Sequence, residues 1–507
     1  MLGNLVFSPN MSVDANEFYS GILFQGETQT LKTNGVAVVC PIRIGFGWLG
    51  GTVSGISPNL TILDDLSIVR SADTSFGASL FTLERGTLNL NGKKLTISAN
   101  SFRPGFDSNI TSTRNLIFGG GSIEVQGNVS PWIVNATNLI VQGPGTINLT
   151  SASAKTFAGG GANYSGVTLV HGGAGNLTIT GNNTFSSIRN TISQTAGSSI
   201  IFTSGSTTTI TGKTGLSGTS SAPLYLASSS SGTYTINNSG TSIQQADYLS
   251  VNNSIVTPAN NWFAGTRSTV TNSTGWSNTF SSAADLFWVG GSGTWDSATN
   301  TNWAVVSSGT GGTIAPTSIN DVYFDSGSDS GSAFTVTLGT GAVNKNVTIS
   351  GLDQIMTIAG SATWSCHGNI DIQSGALVVN SHTGSMNLNG TAGVTNTIFT
   401  SGVLLVPNNG LNKRLNINGG RWLVTSALTT NLDSYLGGLW LNSGIFDTQG
   451  YSLTSSLIVC NGSSPKELYF RNSTIITRRD GFFNNSTNAA LLFDAGTSTI
   501  NIGSGIS

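Results

Sequence analysis

The stretch Gly86 to Ile97, Gly-Thr-Leu-Asn-Leu-Asn-Gly-Lys-Lys-Leu-Thr-Ile, limits the fold more than any other feature of the 507-residue chain. A degraded copy of it returns at Gly444 to Thr454 as Gly-Ile-Phe-Asp-Thr-Gln-Gly-Tyr-Ser-Leu-Thr. Leu88 and Leu90 alternate with polar residues, Asn91-Gly92 turns the chain, and Leu95 and Ile97 resume the alternation. That pattern gives two short strands, each with one buried face. Asn-Gly between alternating runs also signals a hairpin. Similar strand-and-turn units recur down the whole chain, which favours a corner between two faces of a solenoid.

The rhythm becomes measurable from Leu177. The runs Leu177-Thr-Ile, Ile200-Ile-Phe, Leu224-Tyr-Leu and Leu249-Ser-Val begin 23, 24 and 25 residues apart, which is one coil of a β-helix. Further strands within each coil, such as Phe185-Ser-Ser-Ile, Thr208-Thr-Ile and Tyr234-Thr-Ile, make three faces per turn the natural count. One coil cannot bury its apolar face alone, and stacking supplies the cover and pairs the backbone in parallel ladders. The expectation is an all-β parallel β-helix, or β-solenoid, with Leu177, Ile200, Leu224 and Leu249 in one line on one face.

The repeat also divides the chain. Asn115-Leu-Ile-Phe answers Glu467-Leu-Tyr-Phe, and Thr146-Ile-Asn-Leu answers Thr499-Ile-Asn-Ile, so a second module restarts the first. Between them aromatic residues punctuate the sequence at Trp262, Trp276, Trp288, Trp295 and Trp303. The expected organisation is module 1 over 1–257, a Trp- and Gly-rich, sandwich-like junction over 258–303, and a truncated module 2 over 304–507. The second module stops where the first still has about a third to run, as in a window cut from a longer array.

Composition narrows the function. Charged residues are 8% of the chain and glycine contributes 66 residues, against roughly 25% charged in a typical domain. The net charge of −2 gives no field to gather nucleic acid, and no apolar run is long enough to span a bilayer. The N-terminus lacks a basic region with a signal-like apolar run, so the protein is expected to be made in a cytoplasm and to reach its place by assembly or lysis. Cys40, Cys366 and Cys460 have neither disulfide nor zinc spacing and read as small buried hydrophobes.

Chemistry has few places to reside. Many β-helices cleave polysaccharides with paired acids, yet no carboxylate lies between Glu124 and Asp247. Asp64-Asp65 are adjacent, so on a strand they point to opposite faces. Asp321, Asp325 and Asp329 stand four apart in a Gly/Ser-rich stretch and offer oxygen ligands for calcium, without a calcium-loop pattern. His171, His367 and His382 are isolated, and Cys366-His367 would face apart on a strand. Gly119-Gly-Gly and Gly159-Gly-Gly lack the helix and Lys of a phosphate loop. Trp262, Trp276, Trp288 and Trp295 read as cover for the open end of a stack, with a sugar-stacking platform as the functional alternative. No cofactor is expected.

Thr28-Gln-Thr-Leu-Lys-Thr-Asn-Gly-Val, Cys40-Pro-Ile-Arg-Ile and the Gly86 phrase resemble large repetitive β-solenoid proteins of tailed bacteriophages and environmental bacteria. Tyr248-Leu-Ser-Val, Trp262-Phe-Ala-Gly and Thr274-Gly-Trp276 are similar to the module ends of those proteins. Trp288-x-Gly-Gly-x-Gly-x-Trp295 to Asn302-Trp303 looks like their module starts. The resemblance covers most of the chain. It implies a virion fibre, spike or outer-surface protein, assembled with other virion proteins as a homo-oligomer, a trimer by preference, with a host surface glycan as a further partner. It carries over no catalytic residue. A bacterial cell-surface adhesin or filament is the first alternative, and a tailspike-type polysaccharide-degrading enzyme the second.

Overall fold

The computed structural model describes residues 3–11, 13, 21–45, 57–69, 79–98, 105–126, 131–191, 198–406, 413–430, 437–485 and 491–503. Among these residues there is no helix, and the strands form a parallel β-solenoid of about 17 turns. The chain divides into two compact units, Met1–Phe280 and Ser281–Ser507. Each is described by itself.

In the first unit a turn visits three parallel sheets. Around the Gly86 phrase, Phe81–Leu83, Gly86–Asn89 and Lys94–Ser98 lie in three different sheets. Leu88 is opposite Leu60 in the preceding turn and Leu116 in the following one, while Leu95 is opposite Leu66 and Ile123. The two strands of the phrase pair with neighbouring turns and not with each other, so Asn91-Gly92 is a corner and not a hairpin. The corner requires two left-handed residues, and Asn91 and Gly92 have φ of 53° and 74°. It stacks on Gly119-Gly120 of the next turn, with φ of 58° and 90°, and the Gly92 amide donates to the Phe118 carbonyl at 3.2 Å.

Inward side chains form columns along the axis. Leu177, Ile200, Leu226 and Val251 are successive partners in one sheet. The expected line is thus corrected by two residues: Leu224 and Leu249 face each other in the adjacent column. A two-residue slip leaves the period of two intact, so all four expected residues remain buried on one face. Phe81, Phe106, Trp132 and Phe157 make a second column, with centroids 5.7, 4.3 and 5.7 Å apart and planes within 12° of parallel.

The polar residues do more than wet the surface. Asp64 accepts from the amides of Thr33 and Asn34 in the turn before, at 2.8 and 2.5 Å, while Asp65 accepts from the Lys94 amide in the turn after, at 2.9 Å. Asn176 and Asn182 likewise accept from the Ser199 and Thr207 amides of the following turn at 3.1 and 2.8 Å. Short acceptors at corners satisfy backbone donors that the ladders leave unpaired, and this gives the Ser/Thr/Asn-rich composition its purpose.

The second unit repeats the plan. Gly438–Asp447 and Leu453–Asn461 carry the copied phrase. Gly444, Gln449 and Gly450 have φ of 84°, 51° and 87°, beside 83°, 53° and 74° at Gly86, Asn91 and Gly92. The same corner is therefore built twice. The 258–303 segment forms no sandwich of its own. Trp262–Phe263 and Trp276–Ser277 extend a parallel ladder of the first unit, while Leu286–Trp288 opens the second unit by pairing in parallel with Val322–Phe324. Trp303–Ala304 adds to Leu286–Trp288 the one antiparallel pairing among the described strands.

These corners set a testable contrast. A Cβ on Gly86 would lie 1.9 Å from the Pro58 carbonyl oxygen, whereas one on Gly120, also at positive φ, meets nothing within 4 Å. Gly86→Ala should lower stability by about 3 kcal/mol or more and Gly120→Ala by only about 1 kcal/mol. Urea unfolding followed by tryptophan fluorescence checks this; equal losses would show that the corner does not depend on that close approach.

Candidate functional site

Three of the four candidate tryptophans are core residues. Trp262, Trp288 and Trp295 are 1, 0 and 2% exposed, so their faces lie against protein and no sugar can stack on them. Trp262 and Trp276 meet edge to face at 5.4 Å in the first unit; Trp276 is half-buried and donates to Ser254 Oγ at 3.1 Å. In the second unit Trp303 lies between Trp288 and Trp295, at centroid distances of 5.1 and 5.4 Å. The sugar-stacking expectation is corrected for the three buried rings.

Asp321, Asp325 and Asp329 are not gathered around one point. Asp325 accepts from the Gly327 amide and Asp329 from the Gly331 amide, each closing its own loop. Among the described residues no group of three His, Cys, Asp or Glu side chains is placed to hold a metal.

Buried titratable groups serve the fold. Lys155 lies in the carboxylate-free stretch and donates to the carbonyls of Ser151, Gly173 and Gly175 at 2.8, 3.3 and 2.8 Å; burial pulls its pKa down to about 8. Arg114 likewise collects the carbonyls of Ser108, Ser112, Asn135 and Thr137. Cys366 accepts from Asn344 and donates to the Gly368 carbonyl, and burial pushes its thiol up to about 12, which removes it as a nucleophile. Cys40 and Cys460 are also free and buried. His171 is fully buried, and its ring nitrogens have no hydrogen-bond partner among the described residues.

What remains is an outward face of the second unit. The strands Val322–Phe324, Val347–Ile349, Ile370–Ile372 and Thr395–Phe399 stack in parallel. Their apolar residues Val322, Val347, Ile370 and Ile398 point inward. The alternate positions then form an outward row, Tyr323, Thr348, Asp371 and Phe399, in register. Beside it runs a second row, Asp321, Asn346, Asn369 and Thr397. These two rows line a groove of about 380 Å³.

The second row is held by its own relay. Asn346 donates to Asp321 Oδ1 at 2.8 Å, Asn346 Oδ1 accepts from the Asn369 amide at 2.7 Å, and Asn369 Oδ1 accepts from the Thr397 amide at 2.8 Å. Phe287 stacks on Tyr323 at 4.9 Å and 18°, fixing the ring. Burial raises the Tyr323 phenol, and the charges of Asp285 and Asp321 add to the shift. Lys345 Nζ stands 3.6 Å from Asp321. The first row keeps polar groups turned outward, with Asp371 engaged at one oxygen by Gln373 at 3.3 Å.

Further along the same outward side, Asp447 is fully buried between Arg421 and Arg471, at 3.2 and 2.8 Å. Burial alone would raise its carboxyl, but the hydrogen bonds from Arg471 and Gln449 outweigh it and hold the group below the usual carboxylate range. This cluster is closed on itself and clamps three successive turns.

Comparison of the chain with family models, curated proteins and solved structures gives no match. Of the residues singled out from sequence only Asp321 lines the groove. Tyr323, Thr348 and Asp371 occupy the polar alternates of strands legible as Asp321-Val-Tyr-Phe, Val347-Thr-Ile and Ile370-Asp-Ile, so the period of two was a usable signal. Their register across turns was not.

His171 gives a pH prediction. Burial and the nearby Lys155 charge lower its pKa to about 3, so the fold holds it neutral while the unfolded chain takes up a proton below about 6.5. Its contribution is complete above about pH 6.5 and is lost as pH falls toward 3, by at most about 1.4 kcal/mol per pH unit. His171→Gln should flatten the fall in urea midpoint between pH 7 and pH 4.5. Parallel slopes in wild type and variant would count against it.

Proposed function

We propose that the chain is a structural and adhesion component of a virus particle: a bacteriophage tail fibre, spike or outer-surface protein, assembled with other virion proteins. The observation that carries this is an open polar groove on the outward face of stacked turns, in a chain whose surface is nearly uncharged. Parallel stacking supplies a rigid scaffold, and a neutral hydroxyl- and amide-rich exterior suits close packing against neighbours without like-charge repulsion. The resemblance to phage β-solenoid proteins supports the particle, and it alone supports a trimer. A bacterial surface adhesin has the same physical requirements and is the alternative.

One observation favours a second reading. Asp321 and Asp371 both line the groove, and paired acids are what a glycan hydrolase needs. They stand two turns apart, about 9.6 Å along the axis, and are offset by two residues across it. A cleaving pair sits within about 10 Å, so the separation lies at or beyond the limit, and binding without cleavage is the function we put forward.

Two measurements test this. Immunogold labelling of purified particles should decorate their tails or surface, and sedimentation velocity should give an oligomer; a stable monomer absent from particles would remove the proposal. Incubation with host polysaccharide should release no reducing ends. Release that Asp371→Asn abolishes would replace adhesion by hydrolysis.

A further inference from the structure

We infer that the groove on the second unit is a binding site for a non-anionic oligosaccharide of about three sugar rings, lying along the stacking direction across successive strands. The inference rests on the adhesion reading and names its ligand class.

Length comes from the ladder. Tyr323 and Phe399 are separated by three strand spacings, with Thr348 and Asp371 between them in register. At about 4.8 Å per strand the two rings stand about 14 Å apart, and an extended pyranose chain advances by close to one strand spacing per sugar. The cavity of about 380 Å³ is within the range of small-ligand sites.

Chemistry comes from the two rows. Half-buried Phe399 and the face of Tyr323 that Phe287 does not cover offer aromatic surface to the C–H faces of sugars. Between them Thr348 and Asp371 present a hydroxyl and a carboxylate, and Asn369 an amide nitrogen with no partner among the described residues. The Asp371 carboxylate accepts from sugar hydroxyls as a charged acceptor, among the stronger bonds available to an uncharged ligand, and the Asn369 amide donates to sugar oxygens. The relay Asp321–Asn346–Asn369 fixes the second row before a ligand arrives, which limits the ordering cost of binding.

Charge sets the class. Two carboxylates line the groove and no Lys or Arg does. Lys345 lies beside Asp321, its Nζ 3.6 Å from the carboxylate. Among the described residues Asp371 has no ion-pair partner, so a uronic or sialic acid beside it would meet like charge, whereas neutral and amino-bearing sugars would not.

The test uses the full chain on a printed array of neutral-hexose, amino-sugar and uronic-acid oligosaccharides. Wild type should bind members of the first two classes and not the third. Phe399→Ala should weaken binding about threefold to tenfold, as expected for the loss of one stacked ring, and Asp371→Asn should also weaken it without disturbing the core. Tyr225→Ala, which removes a 43% exposed ring in the first unit, should bind as wild type does. Unchanged thermal unfolding in the variants would tie the loss to the groove. Preferential binding of uronic acids, or equal effects of Phe399→Ala and Tyr225→Ala, would overturn the assignment. Failure to bind any class by protein that still decorates particles would overturn the glycan ligand alone and leave the particle reading standing.

Discussion

Each turn of this protein must present its backbone amides and carbonyls to the next turn at a fixed spacing, and the corners are where that requirement is hardest to meet. A parallel ladder continues only if the chain changes direction at the same height in successive turns. Left-handed residue pairs solve this: Asn91-Gly92 stacks on Gly119-Gly120, and Gln449-Gly450 builds the same corner in the second unit. Donors left over at the corners fall to Asp64, Asp65, Asn176 and Asn182. With corners aligned, inward side chains line up without further instruction. Stacked Phe81, Phe106, Trp132 and Phe157 are a consequence of that alignment as much as a cause of stability.

The scarcity of carboxylates has a structural counterpart. Among the described residues, Lys155 and Arg114 are buried without an acidic partner and draw carbonyl oxygens from the loops around them. A charge satisfied in this way orders irregular backbone at several points at once. Where acids do occur among arginines, as at Asp447, they join turns instead of lining an opening. The groove at Asp321 and Asp371 differs because its polar groups are ordered by one another and still face outward.

Much of the fold was legible from local pattern. Alternation located the strands, and the repeated phrase located the corner and its copy, because both depend on residues close in sequence. Register was less so. Leu224 and Leu226 are equivalent to a period of two, and only the preceding turn decides which of them faces Ile200. The tryptophans show the same limit: a ring beside glycine fits an open platform or a covered stack end, and burial separates the two. The candidate groove joins side chains from five turns, so no single stretch of sequence contains it, although its outward alternates are visible strand by strand.

The ladders also give each unit a direction of strength. Hydrogen bonds between turns run along the stacking axis, while the covalent chain runs around it. Tension along that axis falls on the ladder bonds, and an end turn can peel without breaking those behind it. Compression instead presses closely packed aromatic and aliphatic columns together, and swelling is resisted by the peptide chain itself. Each unit is therefore built to bear thrust and internal pressure better than pull.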